Sequence, residues 1–170
     1  GPFDVFVSNA GIARHASLVD TTLEAFDAVT STNWRGAYFA TQAVARGQVA
    51  AGRGGSIISI SSQMGHVGAA TRTVYCASKW AMEGMTRAMA VDLAPHGIRV
   101  NTLCPTFIET PLARRMLANE QFRNDVLKKI KLGRLGQVGD LTGAIVYLAS
   151  DASSLMTGTS MIIDGGWTAD

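Results

Sequence analysis

Tyr75-Cys76-Ala77-Ser78-Lys79, with Ser62 thirteen residues ahead of the tyrosine, decides how this chain is read. A tyrosine and a lysine four apart on a helix share one face, one turn apart. That spacing sets an ammonium beside a phenol. A free phenol has a pKa of about 10 and is a poor base at neutral pH. Lowering it by about three units takes roughly 4 kcal/mol in favour of the phenolate. One cation at about 4 Å, in an effective dielectric near 20, supplies about that much before desolvation is subtracted. The pair suits a tyrosine that exchanges protons near pH 7, with a serine hydroxyl beside it to hold a substrate oxygen.

Tyr-x-x-x-Lys occurs by chance in many helices, so the surroundings carry the assignment. Before Ser62 runs Gly54-Gly55-Ser56-Ile57-Ile58-Ser59-Ile60-Ser61, a β-branched, apolar strand ending in hydroxyl residues. Ser8-Asn9-Ala10-Gly11 follows the apolar run Val5-Phe6-Val7. Gly97-Ile98-Arg99-Val100-Asn101-Thr102-Leu103-Cys104-Pro105 follows the Tyr/Lys helix, and Ile163-Asp164-Gly165-Gly166 lies near the end. In this order and spacing the chain resembles the short-chain dehydrogenase/reductase family over essentially its whole length. The resemblance implies an α/β fold: the C-terminal part of a doubly wound, parallel-sheet Rossmann-type fold with α/β/α layers, as one domain over residues 1–170.

The resemblance also implies roles. Tyr75 matches the acid/base tyrosine, and Lys79 the lysine that lowers its pKa and bonds the nicotinamide ribose. Ser62 matches the serine that positions the substrate oxygen, with Ser61 as its rival. Asn33 matches the helix asparagine that completes a water-mediated proton path to the lysine. Asn9, Ala10 and Gly11 match the segment beside the adenosine of NAD or NADP, with Ser8 where the family usually repeats asparagine. Pro105, Ile108 and Thr110 match the segment facing the nicotinamide carboxamide, with Thr106 replacing the usual glycine. The family's helix contacts imply a homo-oligomer, a tetramer or dimer of the full-length parent.

The family's Gly-rich phosphate turn has no counterpart here. It requires a strand, the turn and a helix N-terminus, and Gly52, Gly54 and Gly55 precede a strand instead of following one. The sequence starts where the family's fourth strand would start, so a partial chain is expected, lacking about 70 to 90 residues at 30 or more per βαβ unit. An apolar edge strand would then lie open, and the chain alone is expected to be poorly soluble or molten.

Composition narrows the rest. The 170 residues suit one domain, 47% hydrophobic and 16% charged. A net charge of +2 is too small to argue for a nucleic-acid or anionic-membrane partner, and neither is expected. No apolar run approaches the roughly 20 residues that span a bilayer. Cys76 and Cys104 lack C-x-x-C spacing, and His15, His66 and His96 lack H-x-x-x-H spacing, so neither a disulfide framework nor a metal site is expected. This pattern fits a reducing cytoplasm.

Strands are predicted at residues 3–7, 56–61, 98–103 and 160–163. Helices are predicted at 22–29, capped by Asp20 or Thr21, at 33–50, at 73–93, once or twice within 106–130, and from an Asp140 cap to about 150. Alternation of strands with helices implies a parallel sheet covered on both faces.

The implied activity interconverts a secondary alcohol and a ketone with NAD or NADP, preferably on a sugar, polyol or sugar acid. The alternatives are a 3-oxoacyl carrier-protein reductase and, in another class, an inactive fragment or non-catalytic interaction subunit. An extended epimerase shares Tyr-x-x-x-Lys, but the compact ending at Ile163-Asp164-Gly165-Gly166-Trp167 argues against it. Residues 66–73 and 106–130, with Glu109, Arg114, Arg115 and Arg123, are expected to select the substrate.

Overall fold

The computed structural model describes residues 1–169, the Leu112 side chain excepted. Four parallel strands form one sheet in chain order: β1 (Val5–Ser8), β2 (Gly55–Ile60), β3 (Ile98–Pro105) and β4 (Ser160–Ile163). The register pairs Val5 with Ser56, Gly55 with Ile98 and Thr102 with Ser160. Each link between neighbouring strands includes helix: α1 (Leu23–Thr30) and α2 (Ala37–Ala50), then α3 (Thr73–Leu93), then α4 (Pro111–Leu117), α5 (Glu120–Lys129) and α6 (Val138–Ala149).

Strand periodicity sorts the core. Ile57, Ile98 and Val100 join Ala45 and Ala90 on the α2/α3 face, while Ile58 and Leu103 join Leu148 on the α6 face. A third cluster, with Met64, Leu117, Val126 and Trp167, seats α4 and α5 over the C-terminal strand ends. β1 is a sheet edge, with Val5 and Val7 exposed. No helix among the described residues is long and apolar enough to cross a membrane.

Several boundaries differ from the sequence expectation. The first helix is capped by Thr22, whose hydroxyl accepts from Ala25 N. Asp20 and Thr21 instead close a turn onto Ser17. Helix α1 does not stop before α2. A π-helical segment, Ser31–Gly36, carries the chain through, and Asn33 within it is fully buried. Asp140 is not the N-cap of α6. Gln137 holds that position, and the Asp140 carboxylate accepts its backbone N–H at 2.7 Å from the first turn. Arg134 clamps the same carboxylate and holds it far below the usual range.

Candidate active site

The C-terminal ends of β1, β2 and β3 open into one cleft of about 340 Å³. Its wall includes Asn9, Gly11, Ser62, Tyr75, Lys79, Pro105, Ile108 and Thr110, drawn from four separate stretches of sequence. This is where ligands gather in open parallel sheets. Ala10 is exposed and outside the wall, and Asn33 lies behind it.

Tyr75 and Lys79 lie in the first two turns of α3, four residues apart, so both face the cleft. The Lys79 ammonium lies over the Tyr75 ring, 5.7 Å from its centroid. It donates to the Ile60 carbonyl at 2.8 Å, at the end of β2. Burial pushes Lys79 down to about 8, with Cys104 and Glu83 pulling it back up. The sequence expectation for Tyr75 is reversed in this geometry. Burial raises the phenol above its ordinary value, and the hydrogen bond with Ser62 lowers it only in part. A cation over the ring stabilises phenolate less than one at the oxygen does.

Ser62 ends the strand and caps the short 3₁₀ turn Gln63–Gly65. Its hydroxyl donates to Gln63 Oε1 at 2.7 Å and accepts from Met64 N at 3.1 Å. Ser61 also reaches the cleft and lies against Cys104, but its buried hydroxyl makes no hydrogen bond of normal geometry. Of the two serines, Ser62 is the one whose hydroxyl makes hydrogen bonds of normal geometry.

Asn33 spends its amide on structure. Its Oδ1 accepts from Ile12 N at 2.8 Å, while Nδ2 donates to the Ile12 carbonyl at 2.8 Å and to Ser78 Oγ at 3.1 Å. The π turn aims this side chain inward, a common use of such turns. It ties the loop after β1 to α3. A Cβ on Gly11 would lie 3.6 Å from Asn33 Oδ1 and 3.8 Å from Lys79 Nζ, so the three converge.

Thr110 is the N-cap of α4, accepting from Ala113 N. Ile108 bridges to Gly136, and the Glu109 N–H donates to the Gly136 carbonyl at 2.8 Å. This stitches the loop after β3 to the segment before α6.

The sequence also left residues unassigned: His15, Gln63 and Met64 line the cleft, and so do Arg72 and Phe107, from the two segments expected to select the substrate. Arg72 also stacks 5.4 Å over Phe122. Burial and Arg72 together push the His15 imidazole down. A second cleft of about 550 Å³ shares Arg72, Met64, Phe107 and Met116 and runs under α5 to Trp167. His66, Glu83 and Cys104 bring ligand-type atoms within 4.8 Å of one another. The Cys104 thiol donates to Glu83 there, and burial holds it protonated, up to about 12.

Over residues 1–168 the chain matches the family model described as enoyl-(acyl carrier protein) reductase. It is 39% identical over 169 residues to L-xylulose reductase of Bos taurus, an alignment covering 99% of this chain and 69% of that protein. It is 40% identical over 166 residues to L-rhamnose 1-dehydrogenase (NAD(P)(+)) of Azotobacter vinelandii, covering 98% and 65%. Gluconate 5-dehydrogenase from Burkholderia cenocepacia J2315, solved in complex with NADP and tartrate, superimposes with a TM-score of 0.96 at 37% identity. That match covers 100% of this chain and 66% of that one. A short-chain type dehydrogenase/reductase from Mycobacterium marinum matches at 0.94 and 42%, over 99% and 66%. The chain belongs to the short-chain dehydrogenase/reductase family, and it spans about two thirds of the length of these relatives.

Proposed function

We propose that this chain carries the chemistry of an NAD(P)-dependent oxidoreductase that interconverts a secondary alcohol and a ketone on a sugar, polyol or sugar acid. The observation that carries this reading is the meeting of Ser62, Tyr75 and Lys79 in one cleft.

The cleft fits the nicotinamide half of such a cofactor. Gly11 has no side chain to close it toward Asn33 and Lys79, and Pro105, Ile108 and Thr110 line the same cleft. When bound, the nicotinamide gives or takes the hydride. The protein moves the proton. Tyr75, kept protonated by burial, donates its phenolic proton to the substrate oxygen in reduction and takes it back in oxidation. Ser62 turns its hydroxyl from Gln63 to the same oxygen. Lys79 opposes the negative charge that develops on Tyr75.

Arg72 and His15 give the cleft mouth donors suited to hydroxyl and carboxylate groups, which supports a sugar-type substrate. Three of the relatives named above, the L-xylulose reductase, the L-rhamnose 1-dehydrogenase and the gluconate 5-dehydrogenase, carry such molecules in their names. The adjoining aromatic cleft, with Lys129 over Trp167, favours a carrier-bound acyl substrate as the second reading. The exposed Tyr38, Phe39 and Trp80 on α2 and α3 support a homo-oligomeric contact there.

Calorimetry with NADH and NADPH tests the first step. Binding supports the enzyme reading for this chain, and no binding by folded protein supports the non-catalytic one. A panel of polyols, sugar acids and 3-oxoacyl thioesters then separates the substrate classes.

A further inference from the structure

Below Lys79 the same face of α3 carries a second buried charge. Glu83 follows Lys79 by four residues, so their side chains neighbour each other one turn apart. The two residues are only 5% and 2% exposed. Three donors converge on the Glu83 carboxylate. Thr102 Oγ1 at 2.9 Å and Ser160 Oγ at 2.5 Å donate to Oε2, and Cys104 Sγ at 3.4 Å donates to Oε1. They come from β3 and β4, so the carboxylate is fixed to the sheet. Every one of these groups has a proton to give, and the carboxylate oxygens accept all three. The turn at Gly65 packs directly on the pair. A methyl there would lie 3.1 Å from Glu83 Cγ and 3.2 Å from the Lys79 carbonyl.

We propose that Glu83 is a positioning residue for the active site, a buried counter-charge that holds Lys79 as an ammonium ion at neutral pH. The titratable groups facing Lys79 are Tyr75 and Glu83 on its own helix, Cys104 on β3, and His66, which lies 3.8 Å from Glu83 after the β2 turn. Asn33 and Gly11 face it from the β1 side without charge. Glu83 is the one carboxylate in this set. Burial alone drives the amine toward its neutral form, and a neutral amine would remove the cation that lies over the Tyr75 ring. The catalytic consequence rests on the oxidoreductase reading, but the charge state of Lys79 does not.

The test is an NMR titration of the Lys79 amine in cofactor-free protein, comparing wild type, Glu83→Gln and Thr102→Val. Glu83→Gln moves the midpoint down by about one pH unit, as expected on losing a nearby opposite charge. Thr102→Val, which removes a hydrogen bond and keeps the charge, leaves it in place. A folded Glu83→Gln protein with an unmoved midpoint overturns the proposal. If that variant does not fold, a wild-type midpoint below about 6 overturns it, since that is the range of buried lysines without a counter-charge. A shifted midpoint in a protein that turns over no alcohol or ketone sinks the oxidoreductase reading and leaves this one standing.

Discussion

The Lys79 ammonium lies 5.7 Å from the centroid of the Tyr75 ring, over its face, while its proton goes to the Ile60 carbonyl at 2.8 Å. Burial raises the phenol above its ordinary value, and the Ser62 hydrogen bond and the Arg72 charge offset this only in part. Tyr75 stays protonated at neutral pH, the form that donates in reduction. Oxidation needs the phenolate, so its rate is expected to climb with pH through the neutral range while reduction does not. Tyr75→Phe is expected to lower kcat by about 10²- to 10⁴-fold in both directions. Steady-state rates across pH check both points. An oxidation rate flat with pH would count against Tyr75 as the base.

Asn33 holds three hydrogen bonds in a fully buried setting. Asn33→Ala strands the N–H and C=O of Ile12, and a loss of about 2 to 4 kcal/mol is expected. Asn33→Asp keeps the bond from Ile12 N but turns a carboxylate oxygen toward the Ile12 carbonyl, so it is expected to cost more. Urea unfolding of the two variants decides the order. An aspartate variant more stable than the alanine one would contradict the clamp.

Gly136 lies where a Cβ would meet Ile108 Cδ1 at 2.4 Å. That atom is the free end of a side chain, so Ile108 is expected to rotate while the backbone stays. Gly136→Ala should then cost only about 1 kcal/mol of stability. It should also weaken nicotinamide binding, because Ile108 forms part of the cleft wall. Cofactor titration of the variant is the check, and unchanged affinity would remove Ile108 from that wall.

How far the site was legible follows from which signals are local. The Tyr75 and Lys79 pairing is written in a four-residue spacing, and the strand run to Ile60 fixes where Ser62 emerges. The all-parallel sheet follows from strand-helix alternation. Asn33 was named from its motif, but its environment was hidden. A π turn shows no hydrophobic period, so the sequence read as two helices with a break. Glu83 was missed because its partners, Thr102, Cys104 and Ser160, lie 19 to 77 residues away and meet only through sheet register. The direction of the Tyr75 shift was misread for a similar reason. Spacing along a helix gives the distance between charges, whereas desolvation depends on everything that folds over them.

Buried titrating groups also set a pH optimum for folding. Lys79 drops from its ordinary 10.5 to about 8 in the folded protein. Below about pH 8 both states hold the proton, and the folded state bears the full cost of burying it. Between about 8 and 10.5 the unfolded chain holds a proton that the folded one has released, so stability rises with pH, by about 3 kcal/mol in all. Cys104 moves the other way, from 9.0 up to about 12. Above about pH 9 the unfolded thiol ionises and the folded one does not, so stability falls. Tyr75, also raised, adds to that fall above its ordinary 10.0. The Lys79 and Cys104 slopes oppose each other from about pH 9 and Tyr75 tips the balance from about pH 10, so stability is expected to climb from about pH 8 to 9, flatten, and decline above about 10. Urea midpoints measured across this range test the curve. Lys79→Met should erase the climb and Cys104→Ser should soften the decline. A steady loss of stability from pH 8 upward in the wild type would mean that Lys79 keeps its proton in the folded state.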